Sequence, residues 1–112
     1  MSQPIINVIA GLYEPYDYED LTVDNTSGGV ALDSTKVKNN TNRLKEAQRV
    51  ILTLETNDIR YTTDGTAPTT SLGHLMSAGD VVILQGQPTI DNFRAINAAG
   101  GSSGTFRCTF ER

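Results

Sequence analysis

The side chains in this sequence that could do chemistry are His74, Asp64 and Cys108, with Ser71 and Ser77 close to the histidine. A histidine serves as a base when it faces a nucleophile and is itself oriented by an acid. His74 is the only histidine, it follows Gly73, and nothing in the spacing marks either serine as activated. It reads as a loop residue. Asp64-Gly65-Thr66 inverts the Asp-Thr-Gly order of aspartic proteases, and a shared-proton site needs a second carboxylate beside it. The same residues make a good turn, because Asp bonds its own downstream backbone and Gly tolerates positive φ. Cys108 sits between Phe106 and Phe110 at period two, the place of a small buried hydrophobe. A reactive thiolate wants exposure and nearby positive charge, and Arg107 points to the opposite face. Phosphate-loop, dinucleotide, zinc-protease and EF-hand patterns do not occur. No catalytic residue, cofactor site or metal site is expected.

The element that would carry Asp64 is the stretch Ile59–Thr70. Ile59 and Tyr61 alternate with Arg60 and Thr62, the pattern of a half-buried strand. Pro68, with Thr66, Thr69 and Thr70 around it, keeps the exit extended. The expected product is a rigid strand–turn–extended corner with a hydroxyl-lined surface.

The run Ile59-Arg60-Tyr61-Thr62-Thr63-Asp64-Gly65-Thr66-Ala67-Pro68-Thr69 is similar to the Tyr-Thr-x-Asp-Gly-Thr-x-Pro signature of chitobiase/hexosaminidase C-terminal-like β-sandwich modules. Its continuation, Gly73-His74-Leu75-Met76-Ser77-Ala78-Gly79-Asp80 and then Phe93-Arg94-Ala95-Ile96, resembles small virion proteins of tailed phages, capsid cement or decoration proteins among them. The resemblance spans roughly Ala47–Arg112. It implies a sandwich fold and, as an expectation, a structural role in a virion; function belongs to sites grafted on such folds.

A chain of 112 residues with 38% hydrophobic content suits one domain with a thin core. Ten glycines and many Thr, Ser and Asn residues suit short strands joined by turns. A net charge of −4 argues against nucleic-acid binding by the whole surface. The charge is uneven: Met1–Thr35 holds six acids and no base, while Lys36–Arg49 holds five bases and one acid. Such blocks suggest contacts with partners of both signs, or with each other. One cysteine excludes an internal disulfide framework. No apolar run reaches membrane-span length and no leader pattern opens the chain, so a membrane partner is not expected and a reducing cytoplasm is.

Taken in order, 1–20 reads as an extended N-terminal arm, apolar around Ile5 and Ile6 and rich in tyrosine and acids from Tyr13 to Asp20. Pro15 disfavours helix and central strand there. The sandwich domain is expected over 21–112. Leu21–Asp24 and Val30–Lys38 read as weak strands, Arg43–Gln48 as a helical turn, and Val50, Leu52 and Leu54 as one face of a strand. Thr56-Asn57-Asp58 is expected to bend that strand into a hairpin with Ile59–Thr63, and Ser71–Gly79 to be a loop. Asp80–Leu84 is nearly all apolar, which predicts a central strand buried on both faces. Gly86-Gln87-Pro88 turns, Asn92–Ala98 alternates, and Gly100–Gly104 reads as a hairpin loop. The last strand buries Phe106, Cys108 and Phe110 and exposes Thr105, Arg107 and Thr109.

The fold class is therefore all-β, a small antiparallel β-sandwich, immunoglobulin-like or jelly-roll-like, with an N-terminal arm. The functional expectation is a non-enzymatic virion protein on the capsid surface, assembled in the host cytoplasm. Its partner would be the major capsid protein or another virion protein, with self-association as a homodimer or higher oligomer also expected. Partner contacts are assigned to Ile5, Ile6, Tyr13, Tyr16, Tyr18, Lys36, Lys38, Arg43 and Lys45. The alternatives are a carbohydrate-binding module, against which the lack of Trp counts, and another virion part such as a head–tail connector or fibre-associated protein.

Overall fold

Residues that alternate in polarity become strands with one face inward, and the computed structural model, which describes residues 13–38, 46–98 and 102–112, contains seven of them among those residues. In chain order the elements are β1 (Pro15–Val23), the short helix α1 (Ser34–Val37), β2 (Arg49–Thr56), β3 (Ile59–Thr62), β4 (His74–Met76), β5 (Val81–Gln85), the helix α2 (Gln87–Asn92), β6 (Arg94–Asn97) and β7 (Gly104–Glu111). They form two antiparallel sheets, one ordered β1-β7-β2-β5 and the other β4-β3-β6. The β2–β5 and β3–β6 pairings are the B–E and C–F pairings of an immunoglobulin layout; β7 differs by entering between β1 and β2 instead of joining β6.

The core lies between the sheets. Val50, Leu52 and Leu54 of β2 face Phe110, Cys108 and Phe106 of β7 in register, and all six are fully buried. Phe93 crosses the gap, with its ring 6.0 Å from Phe106 of one sheet and 5.9 Å from Tyr61 of the other. Burying a large apolar side chain this way stabilises by about 1.5–3 kcal/mol each. At the start of β7 a Cβ on Gly104 would stand 2.8 Å from Ile59 Cγ2 and 2.9 Å from the Thr56 carbonyl, so only glycine lets β7 pass that crossing.

The structure corrects several sequence expectations. Residues 15–20, assigned to the arm, belong to β1 and pair with β7; Pro15 is tolerated as the first residue of an edge strand. Val30 makes a single bridge to Ala95, and the expected strand beyond it is replaced by α1, which Asp33 caps by accepting from the Thr35 N–H. Glu46–Gln48 are not helical, and 43–45 lie outside the described residues. Thr56–Asp58 is a crossing and makes no hairpin, since β2 and β3 lie in different sheets; Asn57 takes φ 60° there and its amide donates to the Ser103 carbonyl at 2.9 Å. The loop expected at Ser71–Gly79 contains β4, which pairs with β3. β5 is an edge strand, with Val81 56% and Ile83 52% exposed. After Gly86 the chain enters α2, with Pro88 in its first turn, where a missing N–H costs nothing. β6 and β7 likewise lie in different sheets, so the hairpin expected between them is not made.

Candidate functional site

Three surfaces collect the residues of interest. The first is the corner after β3. Asp64 Oδ1 accepts the Thr66 N–H at 3.0 Å, Thr62 Oγ1 donates to the Thr66 carbonyl at 2.5 Å, and Gly65 stands at φ 88°. The Thr66 N–H, then its hydroxyl, with smaller help from the backbone N–H of Asp64 itself and from His74, hold the Asp64 carboxyl below the usual range. The carboxylate is spent on shaping the turn. His74 lies exposed on β4 with its ring 5.3 Å from Tyr61. Ser71 and Ser77 bond through their backbone N–H groups, to Thr69 Oγ1 at 3.3 Å and Asp80 Oδ2 at 2.9 Å. Thr62, Thr63, Asp64, Thr66 and His74 line an open, hydroxyl-rich hollow of about 370 Å³. Among the described residues no group of three metal-ligating side chains assembles. Cys108 is buried, and burial, then the Glu19 and Asp20 carboxylates, push its thiol up to about 12, far from a thiolate nucleophile.

The second surface holds the tyrosines and lysines assigned to partner binding. The Tyr13 ring carries the Arg49 guanidinium 4.0 Å from its centroid, and Arg49 also pairs with Glu111 at 2.5 Å. Tyr16 packs its ring 6.5 Å from Phe110, receives Arg112 at 5.0 Å, and donates its hydroxyl to the Lys36 carbonyl at 2.6 Å. Burial, with Asp17 next, raises its phenol pKa. Tyr13 and Tyr16 thus lie against their own domain. Tyr18 is 49% exposed, and its hydroxyl bonds to Asp20, which raises its pKa. Lys36 reaches Asp17 at 3.3 Å and Lys38 reaches Asp91 at 3.1 Å. The basic block therefore touches the acidic one through Lys36. Exposed pairs of this kind contribute roughly 0–1 kcal/mol and exchange partners readily. Ile5, Ile6, Arg43 and Lys45 lie outside the described residues.

The third surface is one that sequence reasoning missed. The outer face of the larger sheet carries Tyr18, Thr109, Ile51 and Ile83 as neighbours in one row, and Thr53 beside Val81 in the next. Leu72 and Leu75, 50% and 54% exposed, lie near the corner. The apolar run at Val81–Leu84 was the available signal, but a run does not reveal whether its strand is central or at an edge.

Fold and surfaces together define a two-sheet β-sandwich whose conspicuous features are outward-facing apolar side chains and a self-satisfied corner. Compared with protein-family models, with curated proteins and with solved structures, the chain finds no match.

Proposed function

We propose that this chain is a non-enzymatic structural protein of a tailed-phage virion, a capsid decoration or cement protein that fastens neighbouring capsid subunits. One observation carries the reading: Tyr18, Leu72, Leu75, Val81 and Ile83, all large and apolar, are each between 49% and 56% exposed. Tyr18, Val81 and Ile83 stand outward on the larger sheet, Leu75 on β4 of the smaller one and Leu72 at its bridge to Thr69. Exposed apolar groups suit contact with protein, because their burial is the main favourable term in association. The resemblance of Gly73–Asp80 and Phe93–Ile96 to virion proteins supplies the setting. A cement protein adds contact area across joints, and many copies multiply a modest energy per joint. Mass spectrometry of purified virions tests this: the chain should appear in fixed ratio to the major capsid protein. Full-length protein should also bind particles lacking it, with Tyr18→Ala and Leu75→Asp each weakening binding by about tenfold, near 1.4 kcal/mol. Absence from virions overturns the reading.

The hydroxyl-lined hollow beside Tyr61 and His74 favours a second reading, a carbohydrate-binding module. Retention on a glycan array or co-sedimentation with chitin, lost in Asp64→Ala, would support it.

A further inference from the structure

The four-stranded sheet has two edges, and they are built differently. β1 carries Pro15, a register shift between Pro15 and Asp17, and the acids Asp17, Glu19 and Asp20. Proline, irregularity and charge are the means by which natural edges resist further pairing. β5 reads Val-Val-Ile-Leu-Gln and pairs with β2 without a register shift, so it has none of these. At its two ends the Leu54 N–H donates to the Asp80 carbonyl and the Gly86 N–H to the Gln48 carbonyl, both at 2.9 Å. Alternation along an antiparallel ladder then turns the backbone groups of Val82 and Leu84 towards β2, and those of Val81, Ile83 and Gln85 away from the sheet. No described strand lies on that side. The side chains of Val81 and Ile83 face outward as well, 56% and 52% exposed.

We propose that β5 is a self-association edge, at which two copies of this chain join antiparallel into one continuous sheet. The outward backbone groups are symmetric about Ile83, so Ile83 meets Ile83 of the second copy and Val81 meets its Gln85. Each facing pair exchanges two hydrogen bonds. Ile51 and Ile83 of each copy, neighbours in register, then form an unbroken apolar row across the joint. A second copy is the occupant that fits because β5 is uncharged in a chain of net charge −4. Self-pairing sets no like charges face to face, whereas a charged strand would lay its charge on Val81 and Ile83 without compensation. Five residues with two exposed aliphatic side chains per copy make a small joint, below about 1,200 Å² in total, so the dimer forms as concentration rises.

Sedimentation of the full-length protein over a concentration series tests this. Wild type should shift from monomer to dimer. Ile83→Lys and Ile83→Glu should each associate about tenfold more weakly or not at all, and their equimolar mixture should regain the dimer, since only an on-axis contact sets Lys against Glu. Val81→Pro removes an outward N–H without touching the ladder to β2, and should weaken the dimer even if a charged variant melts early. A wild type that stays monomeric, variants that dimerise like it, or a mixture no tighter than its components would each overturn the proposal. So would slow amide exchange at Ile83 in monomeric protein, which would place residues of the same chain on the edge. Capsid binding is not a readout here, so failure of the self-association leaves the cement reading standing.

Discussion

At Gly65 the backbone stands at φ 88°, and a Cβ there would find its nearest neighbour, Asn92 Oδ1, at a comfortable 3.7 Å. The constraint is therefore conformational and not one of space. Gly65→Val is expected to destabilise the domain by about 1–2 kcal/mol or more, because a β-branched residue resists left-handed geometry. Asp64→Asn should be mild in both melting and binding, since an amide oxygen can accept the Thr66 N–H that the carboxylate now accepts. Thermal melting and particle binding of the two variants, measured side by side, check this. A stable Asp64→Asn protein with no binding would assign Asp64 to a site and not to the turn. The corner was legible from residue types alone, because Asp-Gly chemistry is local. The exposure of Ile83 was not, because burial depends on which strand the fold lays beside it.

The connecting elements lean on a repeated device: Asp24, Asp33 and Asp64 each accept the N–H two residues on, at 2.9, 2.9 and 3.0 Å. Hydrogen bonds to Thr26 and Thr35 hold Asp24 and Asp33 below the usual carboxylate range, as Thr66 does for Asp64. A carboxyl whose folded pKa is depressed contributes stability above its unfolded pKa and loses it as pH falls through the folded value. Glu19 has the opposite sign: burial raises its pKa, so its protonation relieves a cost as pH falls. With four depressed carboxyls, Asp20 joining the three through Tyr18 and Arg107, against one raised, the melting temperature should drop between about pH 5 and about pH 2. The combined Asp24→Asn, Asp33→Asn and Asp64→Asn variant should lose part of that slope, and a slope left unchanged would show that these turns do not set it. Strands β2 and β7 were readable from their alternation, whereas α1 and α2, four and six residues long, are too short to show a helical period.

Across the whole molecule the decisive feature is that β7, last in sequence, lies between β1 and β2. The larger sheet cannot close until β7 takes its place, and its pairings join positions as distant as Pro15 and Glu111. Deleting residues 105–112 should therefore abolish the cooperative melting transition, because it separates β1 from β2 and removes Phe106, Cys108 and Phe110 from the core at once. Calorimetry of the truncated chain checks it; a retained transition would mean that the smaller sheet and β2–β5 stand by themselves. Folding of the full chain should be slow for its size, as long-range pairings carry the closure entropy first.

By itself the sequence determined an all-β sandwich, the inward faces of β2 and β7, the turn at Asp64-Gly65 and the inert, buried place of Cys108. Each of these rests on period-two alternation or on turn chemistry, which act over a few neighbouring residues. Tertiary structure alone decided that β2 and β3 part into different sheets, that residues 15–20 pair with the C-terminal strand, and that β5 ends a sheet with Val81 and Ile83 outside. Strand neighbours are chosen by how two sheets bury their faces together, and that choice joins residues nearly a hundred positions apart. No local pattern carries it, because an apolar strand reads the same in the middle of a sheet as at its edge.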